Sequence, residues 1–191
     1  MKELSLHILD VAENGISAGA DLISIEVIED LPQNRLALTI ADNGSGIPAD
    51  QIDRARDPFY TSRTTRRVGL GLSLLNAAAR QCNGSMRIVS DVGKGTKVFA
   101  EFVHDHIDRA PLGDMAATMI TLILGSPAVD FEYRHQVDAA EFVMNTREVK
   151  EAFGGLPVTD PQVFQYIMKT FREGEKRLFS GEGQKNGKNE H

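Results

Sequence analysis

The sequence predicts an α/β protein, because segments with the period of an amphipathic helix alternate with segments with the period of a strand. Four residues near the N-terminus recur at helical spacing: Leu4, Ile8, Val11 and Gly15. They predict a helix from Glu3 to about Ala18. Leu22–Ile28 and Arg35–Ala41 alternate apolar and polar residues and predict two strands, joined by a turn over Glu29–Asn34. Met86–Ser90 and Thr96–Val103 predict a hairpin.

The remaining elements follow from helix caps, breakers and apolar spacing. Pro48–Ala55 predicts a short helix, and a longer helix begins after Gly69-Leu70-Gly71 and stops at Gly84. Beyond the hairpin, the predicted order is helix, hairpin, helix, helix: 113–124, 131–144, 146–153 and a last helix from Thr159-Asp160-Pro161 to about Phe179. Residues 180–191 predict a disordered tail.

Composition excludes several functional classes. The net charge of −6 argues against nucleic acid as a partner, because binding to phosphate backbones needs a basic face. The single Cys82 favours a reducing compartment, and its place on an apolar stripe predicts an inert core residue. No apolar run approaches the roughly 20 residues of a membrane span. We therefore expect a cytoplasmic protein with no membrane segment.

Asp10 and Asn14 are i and i+4 neighbours on the polar flank of the first helix. Asn is a poor helix former, so its place inside a helix calls for an explanation. One interpretation is a solvated face. The other is a pair of oxygen ligands that face a cation or a water.

The segment Asp42-Asn43-Gly44-Ser45-Gly46-Ile47 follows a predicted strand. Its glycines would let the backbone lie against a planar ligand, and its carboxylate could accept hydrogen bonds from one fixed donor, such as an exocyclic amine. An ordinary Asn-Gly turn between two elements explains the segment as well.

A polar loop, Asp57–Arg67, opens with an aromatic pair and concentrates arginines in an acidic protein, which suggests an anion site; a solvated basic loop is the alternative. The glycines at 69 and 71 would leave amides free for phosphate at the start of a helix, although a tight turn explains them equally well.

Gly93-Lys94-Gly95-Thr96 is not a P-loop, because Ile88 and Gly95 stand where that motif needs Gly and Ser or Thr. His104, His106 and Asp108 could form a metal cluster, but HxH at a strand end is common and no further ligand set accompanies it.

Four motifs stand in a fixed order: Asp10-x3-Asn14, DNGSGI, DPFYTSR followed by GLGL, and GKGT before a final strand. Together they resemble the GHKL ATP-binding superfamily, which includes histidine kinases, anti-sigma kinases, mismatch-repair ATPases and gyrase. The similarity covers roughly residues 3–103. DVAENGISAGA is similar to the mismatch-repair form, whereas DPFYTSR and GLGLSL resemble histidine kinases. The resemblance implies a two-layer α/β sandwich of the Bergerat type, with a mixed sheet and helices on one face. A small α+β C-terminal extension would complete the chain.

The resemblance also implies roles for individual residues. Asn14 would hold Mg²⁺, Asp42 would accept from the adenine amino group with Gly46 under the ring, and Thr96 would support Asp42 through water. Phe59 to Arg67 would form a lid, with an arginine near the γ-phosphate. The implied nucleotide-binding set is Asn14, Asp42, Gly44, Gly46, Ile47, Phe59, Thr61, Arg63, Arg66, Arg67, Gly69, Leu70, Gly71, Leu72 and Thr96.

Asp10 stands where ATPases and anti-sigma kinases of this superfamily carry Glu as general base, and it is one methylene shorter. The lid is short. Since the chain begins nine residues before Asp10, we expect no dimerisation helix pair and no phospho-acceptor histidine in the usual place. His7, on the same flank, is expected to be a surface or ligand-proximal residue.

We therefore expect an ATP-binding domain over 1–104, a partner-binding or dimerisation extension over 105–179, and the tail. The expected function is Mg·ATP binding in cytoplasmic regulation, with phosphotransfer to a partner protein or slow ATP hydrolysis. The alternative is a non-catalytic adaptor that senses ATP or ADP and acts through the extension.

Overall fold

The computed structural model describes residues 3–55 and 70–179, which contain six helices and six strands. In chain order these are α1 (Leu4–Ser17), β1 (Leu22–Asp30), β2 (Arg35–Asp42), α2 (Ala49–Ala55), α3 (Leu70–Gln81), β3 (Ser85–Asp91), β4 (Gly95–Val103), α4 (Met115–Gly125), β5 (Asp130–Val137), β6 (Ala140–Asn145), α5 (Thr146–Ala152) and α6 (Pro161–Phe179). The predicted tail, 180–191, lies outside the described residues.

The six strands form one mixed sheet in the order β3-β4-β2-β1-β5-β6. Neighbouring strands are antiparallel except β1 and β5, which run parallel. Alternate residues of β1, namely Ile23, Ile25 and Val27, are buried, while the residues between them are only half-buried. Because successive side chains of a strand point to opposite faces, the helices cover one face of the sheet. The predicted two-layer α/β sandwich is confirmed.

The helices contribute apolar stripes to a single core against this face. Each stripe recurs every three or four residues, which is the spacing that an amphipathic helix buries. The buried members of these stripes include Leu4, Ile8, Val11, Leu72, Leu75, Met119, Ile123, Val163, Ile167 and Phe171. Cys82 belongs to the same core, as predicted. Within residues 3–55 and 70–179, no helix is both long enough and apolar enough to cross a membrane.

The C-terminal elements complete the sheet of the N-terminal part. Along its whole length β5 pairs with β1, with Leu22 opposite Asp130 and Glu29 opposite Val137. The predicted order of helix, hairpin and two helices is present, and Asn145 caps α5 by accepting from the backbone N–H of residues 147 and 148. The boundary at 104 and a partner-binding role for 105–179 stay predictions.

The predicted turn at Glu29–Asn34 was wrong at its start, because β1 continues to Asp30. Glu29 is buried at the end of this strand within a chain of polar side chains. Its two carboxylate oxygens lie 3.0 Å from His135 Nε2 and 2.7 Å from His104 Nε2. Nδ1 of His135 lies 3.0 Å from Glu175 of α6, whose carboxylate also accepts from the Tyr133 hydroxyl at 2.8 Å. We call these five residues the buried ionic chain.

Opposing effects set the pKa values in the buried ionic chain. Burial lowers the pKa of His135, but its hydrogen bonds to Glu175 and Glu29 raise the pKa to about 9. Burial raises the pKa of Glu29, yet its hydrogen bonds to the two histidines bring the pKa below its usual range. His135 is therefore a cation held between two carboxylates at neutral pH, and it joins β1 to α6 through β5.

Candidate functional site

The carboxylate of Asp42, the last residue of β2, is the centre of the site. Its Oδ1 accepts from the backbone N–H of Gly44 at 2.9 Å and from that of Thr96 at 3.3 Å. Thr96 is also its cross-strand partner in β4. Burial raises the pKa of Asp42, and the two backbone hydrogen bonds oppose that shift. Oδ2 makes no hydrogen bond within the described residues, so the carboxylate is fixed in orientation with one oxygen available.

Close backbone packing holds the loop after Asp42 against its neighbours. A Cβ on Gly95, which has a φ of +96°, would lie 1.9 Å from the Asp42 carbonyl oxygen. A Cβ on Gly46, with a φ of +70°, would lie 2.1 Å from the carbonyl oxygen of Asp91. Gly46 was predicted to allow close approach to a planar ligand. The structure adds a second reason, since only glycine lets this loop lie against the β3–β4 turn.

Ser90, at the end of β3, ties the loop to the hairpin. The backbone N–H of Ile47 donates to Ser90 Oγ at 2.8 Å. The same Oγ lies 2.9 Å from the Gly95 carbonyl oxygen and 2.9 Å from Thr96 Oγ1. The sequence analysis missed Ser90. The hairpin register would have found it, since Ser90 stands directly opposite Thr96.

Asn43 is an exposed anchor of the loop. Its Oδ1 accepts from the backbone N–H of Asp21 at 3.0 Å and from that of Leu22 at 3.1 Å. Its Nδ2 donates to the carboxylate of Asp21 at 2.6 Å. These contacts join the loop to the start of β1, so Asn43 has a structural role.

A second group of predicted residues lies along one flank of α1. Asp10 and Asn14 are both half-buried. Asp10 packs against the start of α3, where a Cβ on Gly71 would lie 2.8 Å from the Asp10 Cβ. Backbone N–H groups at a helix N-terminus attract anions, so this flank of α1 faces a potential phosphate site.

Only two buried side-chain nitrogen or oxygen atoms lack a hydrogen-bond partner in the described part of the chain, and both belong to α1. They are Asn14 Nδ2 and His7 Nδ1. His7 was expected to be a surface or ligand-proximal residue; the surface alternative is wrong, because the residue is only 3% exposed, and the ligand-proximal one stays a prediction. Burial lowers the pKa of His7, so the imidazole is neutral at pH 7. Buried polar groups are nearly always satisfied, and this flank therefore has unused hydrogen-bonding capacity.

The two groups meet through α1. A Cβ on Gly15 would lie 2.7 Å from the Cβ of Asp42, so the residue next to Asn14 passes directly beneath the loop. The structure thus brings together most of the predicted residues that it describes: Asp10, Asn14, Asp42, Gly44, Gly46, Ile47, Gly71 and Thr96. The side chain of Leu72 packs in the core instead, which leaves only its backbone for a ligand.

Several predicted residues cannot be placed. Phe59, Thr61, Arg63, Arg66, Arg67 and Gly69 lie outside the described residues. Leu70 is the first residue of α3.

The alternative of a metal cluster at His104, His106 and Asp108 has no support in the described residues, where no three potential ligands come together. His104 bonds to Glu29 in the buried ionic chain, and His106 Nδ1 accepts from the backbone N–H of Asp108. Both histidines therefore have structural partners.

Residues 2–106 match the model of a family described as histidine kinase-, DNA gyrase B-, and HSP90-like ATPase. The chain belongs to this family. The matched segment includes α1, the Asp42 loop, the start of α3 and the β3–β4 hairpin, which are the elements that build the site. The predicted superfamily is confirmed.

Curated relatives of this ATPase-family chain include bacterial sensor kinases. The sensor histidine kinase YxdK of Bacillus subtilis is 35% identical over 109 residues, which are 53% of this chain and 33% of the kinase. The sensor kinase CckA of Brucella abortus is 38% identical over 74 residues, which are 37% of this chain and 8% of that protein. The chain thus spans a third or less of the length of these relatives.

Two solved structures resemble most of this ATPase-family chain. The N-terminal domain of a DNA repair protein has a TM-score of 0.53 at 14% identity, over 81% of this chain and 58% of that one. The MutL ATPase domain of Aquifex aeolicus, complexed with ADP, has a TM-score of 0.50 at 15% identity, over 81% and 70%. At such identities the likeness shows the fold alone.

Proposed function

We propose that this ATPase-family chain binds Mg·ATP in the cytoplasm and uses it either to phosphorylate a partner protein or to hydrolyse ATP slowly. The observation that carries the proposal is the oriented carboxylate of Asp42, which keeps Oδ2 available beside a tightly packed loop. An exocyclic amino group is a matching donor for that oxygen. The Asp42 side of the site would therefore hold adenine.

The α1 flank would hold the phosphates and Mg²⁺. Asn14 lies on this flank with its Nδ2 unpartnered, and its other polar atom, the amide oxygen, is a hard ligand suited to Mg²⁺. Bound Mg²⁺ would neutralise charge on the phosphates. The N-terminus of α3, next to Asp10, would add backbone N–H donors. The arginines of the predicted lid would act near the γ-phosphate.

Asp10 would act as the general base. Its carboxylate lies where α1 meets the start of α3, so it would accept the proton of a water or hydroxyl that attacks the terminal phosphate. Relatives named as a sensor histidine kinase and as a sensor protein kinase favour phosphotransfer over hydrolysis.

The adenine assignment is tested by calorimetry with ADP and ATP. We expect Asp42→Asn to abolish binding of both nucleotides, because the base is common to them. Asp30→Asn is the matched control, since it makes the same chemical change at the far end of β1. Unchanged ADP affinity in Asp42→Asn would refute the assignment.

The reaction is tested with γ-labelled ATP. Label on a protein identifies a kinase, free phosphate identifies an ATPase, and neither product identifies a nucleotide sensor. General-base assistance is typically worth about 10²–10⁴-fold in rate. Asp10→Asn should therefore reduce ATP hydrolysis at least ~100-fold while nucleotide affinity stays within a few-fold, whereas Asp10→Glu should preserve hydrolysis. Transfer to a neutral histidine needs no base and would survive Asp10→Asn. Wild-type hydrolysis that survives Asp10→Asn would eliminate the general-base role.

A further inference from the structure

The hydroxyl of Ser90 has three partners with different hydrogen-bonding abilities. The backbone N–H of Ile47 is a donor only, at 2.8 Å. The carbonyl of Gly95 is an acceptor only, at 2.9 Å. The hydroxyl of Thr96, also at 2.9 Å, can do either. Ser90 and Thr96 are cross-strand partners, so the backbone register holds the two hydroxyls together.

These partners fix the positions of both hydroxyl hydrogens. A hydroxyl has one hydrogen and two acceptor lone pairs. Ser90 must use its hydrogen on the Gly95 carbonyl, because that oxygen cannot donate. It accepts from Ile47, which leaves one lone pair for Thr96. All three contacts are satisfied only when Thr96 donates its hydrogen to Ser90.

Thr96 therefore presents only lone pairs to the site. Its backbone N–H donates to Asp42 Oδ1, so the residue stands beside the carboxylate that would bind the base. The carboxylate and the Thr96 hydroxyl together form an edge that only accepts hydrogen bonds. Such an edge suits a purine whose 6-amino group contacts it directly. It is unfavourable to a purine with a carbonyl oxygen there, because two acceptors would face each other.

We propose that Ser90 is a specificity-determining residue, which fixes the Thr96 hydroxyl as an acceptor and so selects 6-amino over 6-oxo purine nucleotides. Ser90 does this without touching the base itself. The inference rests on the proposed function, since it deepens the assignment of the same site to adenine. Without Ser90, the Thr96 hydroxyl could turn its hydrogen into the site and donate to a 6-oxo group.

The test compares ADP with IDP by calorimetry at one pH; IDP carries a 6-oxo group in place of the 6-amino group and a hydrogen on N1. Wild type should prefer ADP. Ser90→Ala should reduce the ratio of ADP to IDP affinity about three- to tenfold, the range expected for one hydrogen bond. Ser90→Thr, which keeps the hydroxyl, should restore the wild-type ratio. If Ser90→Ala does not fold, Ser90→Cys keeps the side-chain size, weakens the hydrogen bonds and should shift the ratio in the same direction.

The double variant separates this role from a structural one. Thr96→Val removes the hydroxyl that Ser90 orients, so adding Ser90→Ala to it should leave the affinity ratio unchanged. An equal loss of ADP and IDP affinity in Ser90→Ala, or a further change of the ratio in the Thr96→Val background, would overturn the proposal. Failure of wild type to bind ADP would overturn the proposed function itself. ADP binding with an unchanged ratio would overturn only the role of Ser90.

Discussion

The buried ionic chain makes the stability of this protein depend on pH between neutral and alkaline conditions. His135 is fully buried and has a pKa of about 9, against about 6.5 for an unperturbed histidine. Because the pKa is raised in the folded state, the stabilisation is fully present below pH ~6.5 and is lost as the pH rises through ~9. A difference of roughly 2.5 units corresponds to about 3 kcal/mol of unfolding free energy.

The difference between the folded and unfolded pKa values of His135 gives the part of this free energy that is lost between pH 7 and pH 9. Between pH 7 and pH 9 the folded protein should lose about 2 kcal/mol of stability from His135 alone. The assay is urea denaturation at a series of pH values across this window. Burial raises the pKa of Cys82, so every variant should also lose some unfolding free energy near pH 9 from this thiol. The effect of His135 is therefore measured as the difference between variants.

Glu175→Gln is the diagnostic variant, because it removes one of the two carboxylates that hold the His135 cation. Its loss of stability between pH 7 and 9 should be about half that of wild type. His106→Gln is the control, because His106 lies outside the buried ionic chain. This variant should keep the wild-type dependence of stability on pH. A flat wild-type profile, or equal slopes in wild type and Glu175→Gln, would refute this account of the buried charges.

Three further predictions concern close packing and the nucleotide. Gly95→Ala should lower ADP affinity at least tenfold, because its Cβ would collide with the Asp42 backbone. Gly93→Ala is the control, since Gly93 also has a positive φ (+79°) but no atom within 4 Å of an added Cβ, and it should change ADP affinity less than threefold. Gly174→Ala should lower the urea-unfolding free energy by about 1–2 kcal/mol, since its Cβ would lie 2.3 Å from the Phe142 ring and the overpacking exceeds the gain in helix propensity; a stabilised variant would contradict this. Asn14→Ala should weaken ATP more than ADP and remove the Mg²⁺ dependence of binding, and equal losses with and without Mg²⁺ would show a structural role.

Local signals in the sequence predicted the elements well. The helix α1 was expected over Glu3–Ala18 and runs over Leu4–Ser17, because its apolar spacing and the following glycine mark both ends. The helix α6 begins at Pro161, because the predicted cap at Thr159-Asp160 is followed directly by a proline at the first helical position. Hydrophobic alternation predicted a strand over Leu22–Ile28, and β1 runs over Leu22–Asp30.

Other features depend on contacts between distant segments, which local patterns do not contain. Alternation tells which face of a strand is buried but not which strand lies beside it, so the pairing of β1 with β5 could not be read from the sequence. Glu29 looked like a turn residue, since its histidine partners are far away along the chain. His7 is one of the buried residues of α1, and the helical period of the sequence alone did not predict its burial.

The parallel pairing of β1 with β5 has a consequence for how the chain folds. The paired residues are about 100 positions apart, so this contact closes a long loop and belongs to the class that forms slowly. During synthesis, β1 would emerge with β2 and then wait for β5 with a row of unpaired N–H and C=O groups along one edge. Unpaired edges of apolar strands are sites of aggregation. Deletion of residues 105–179 would recreate that edge permanently. We expect such a truncated chain to associate through β1, however complete its nucleotide motifs are.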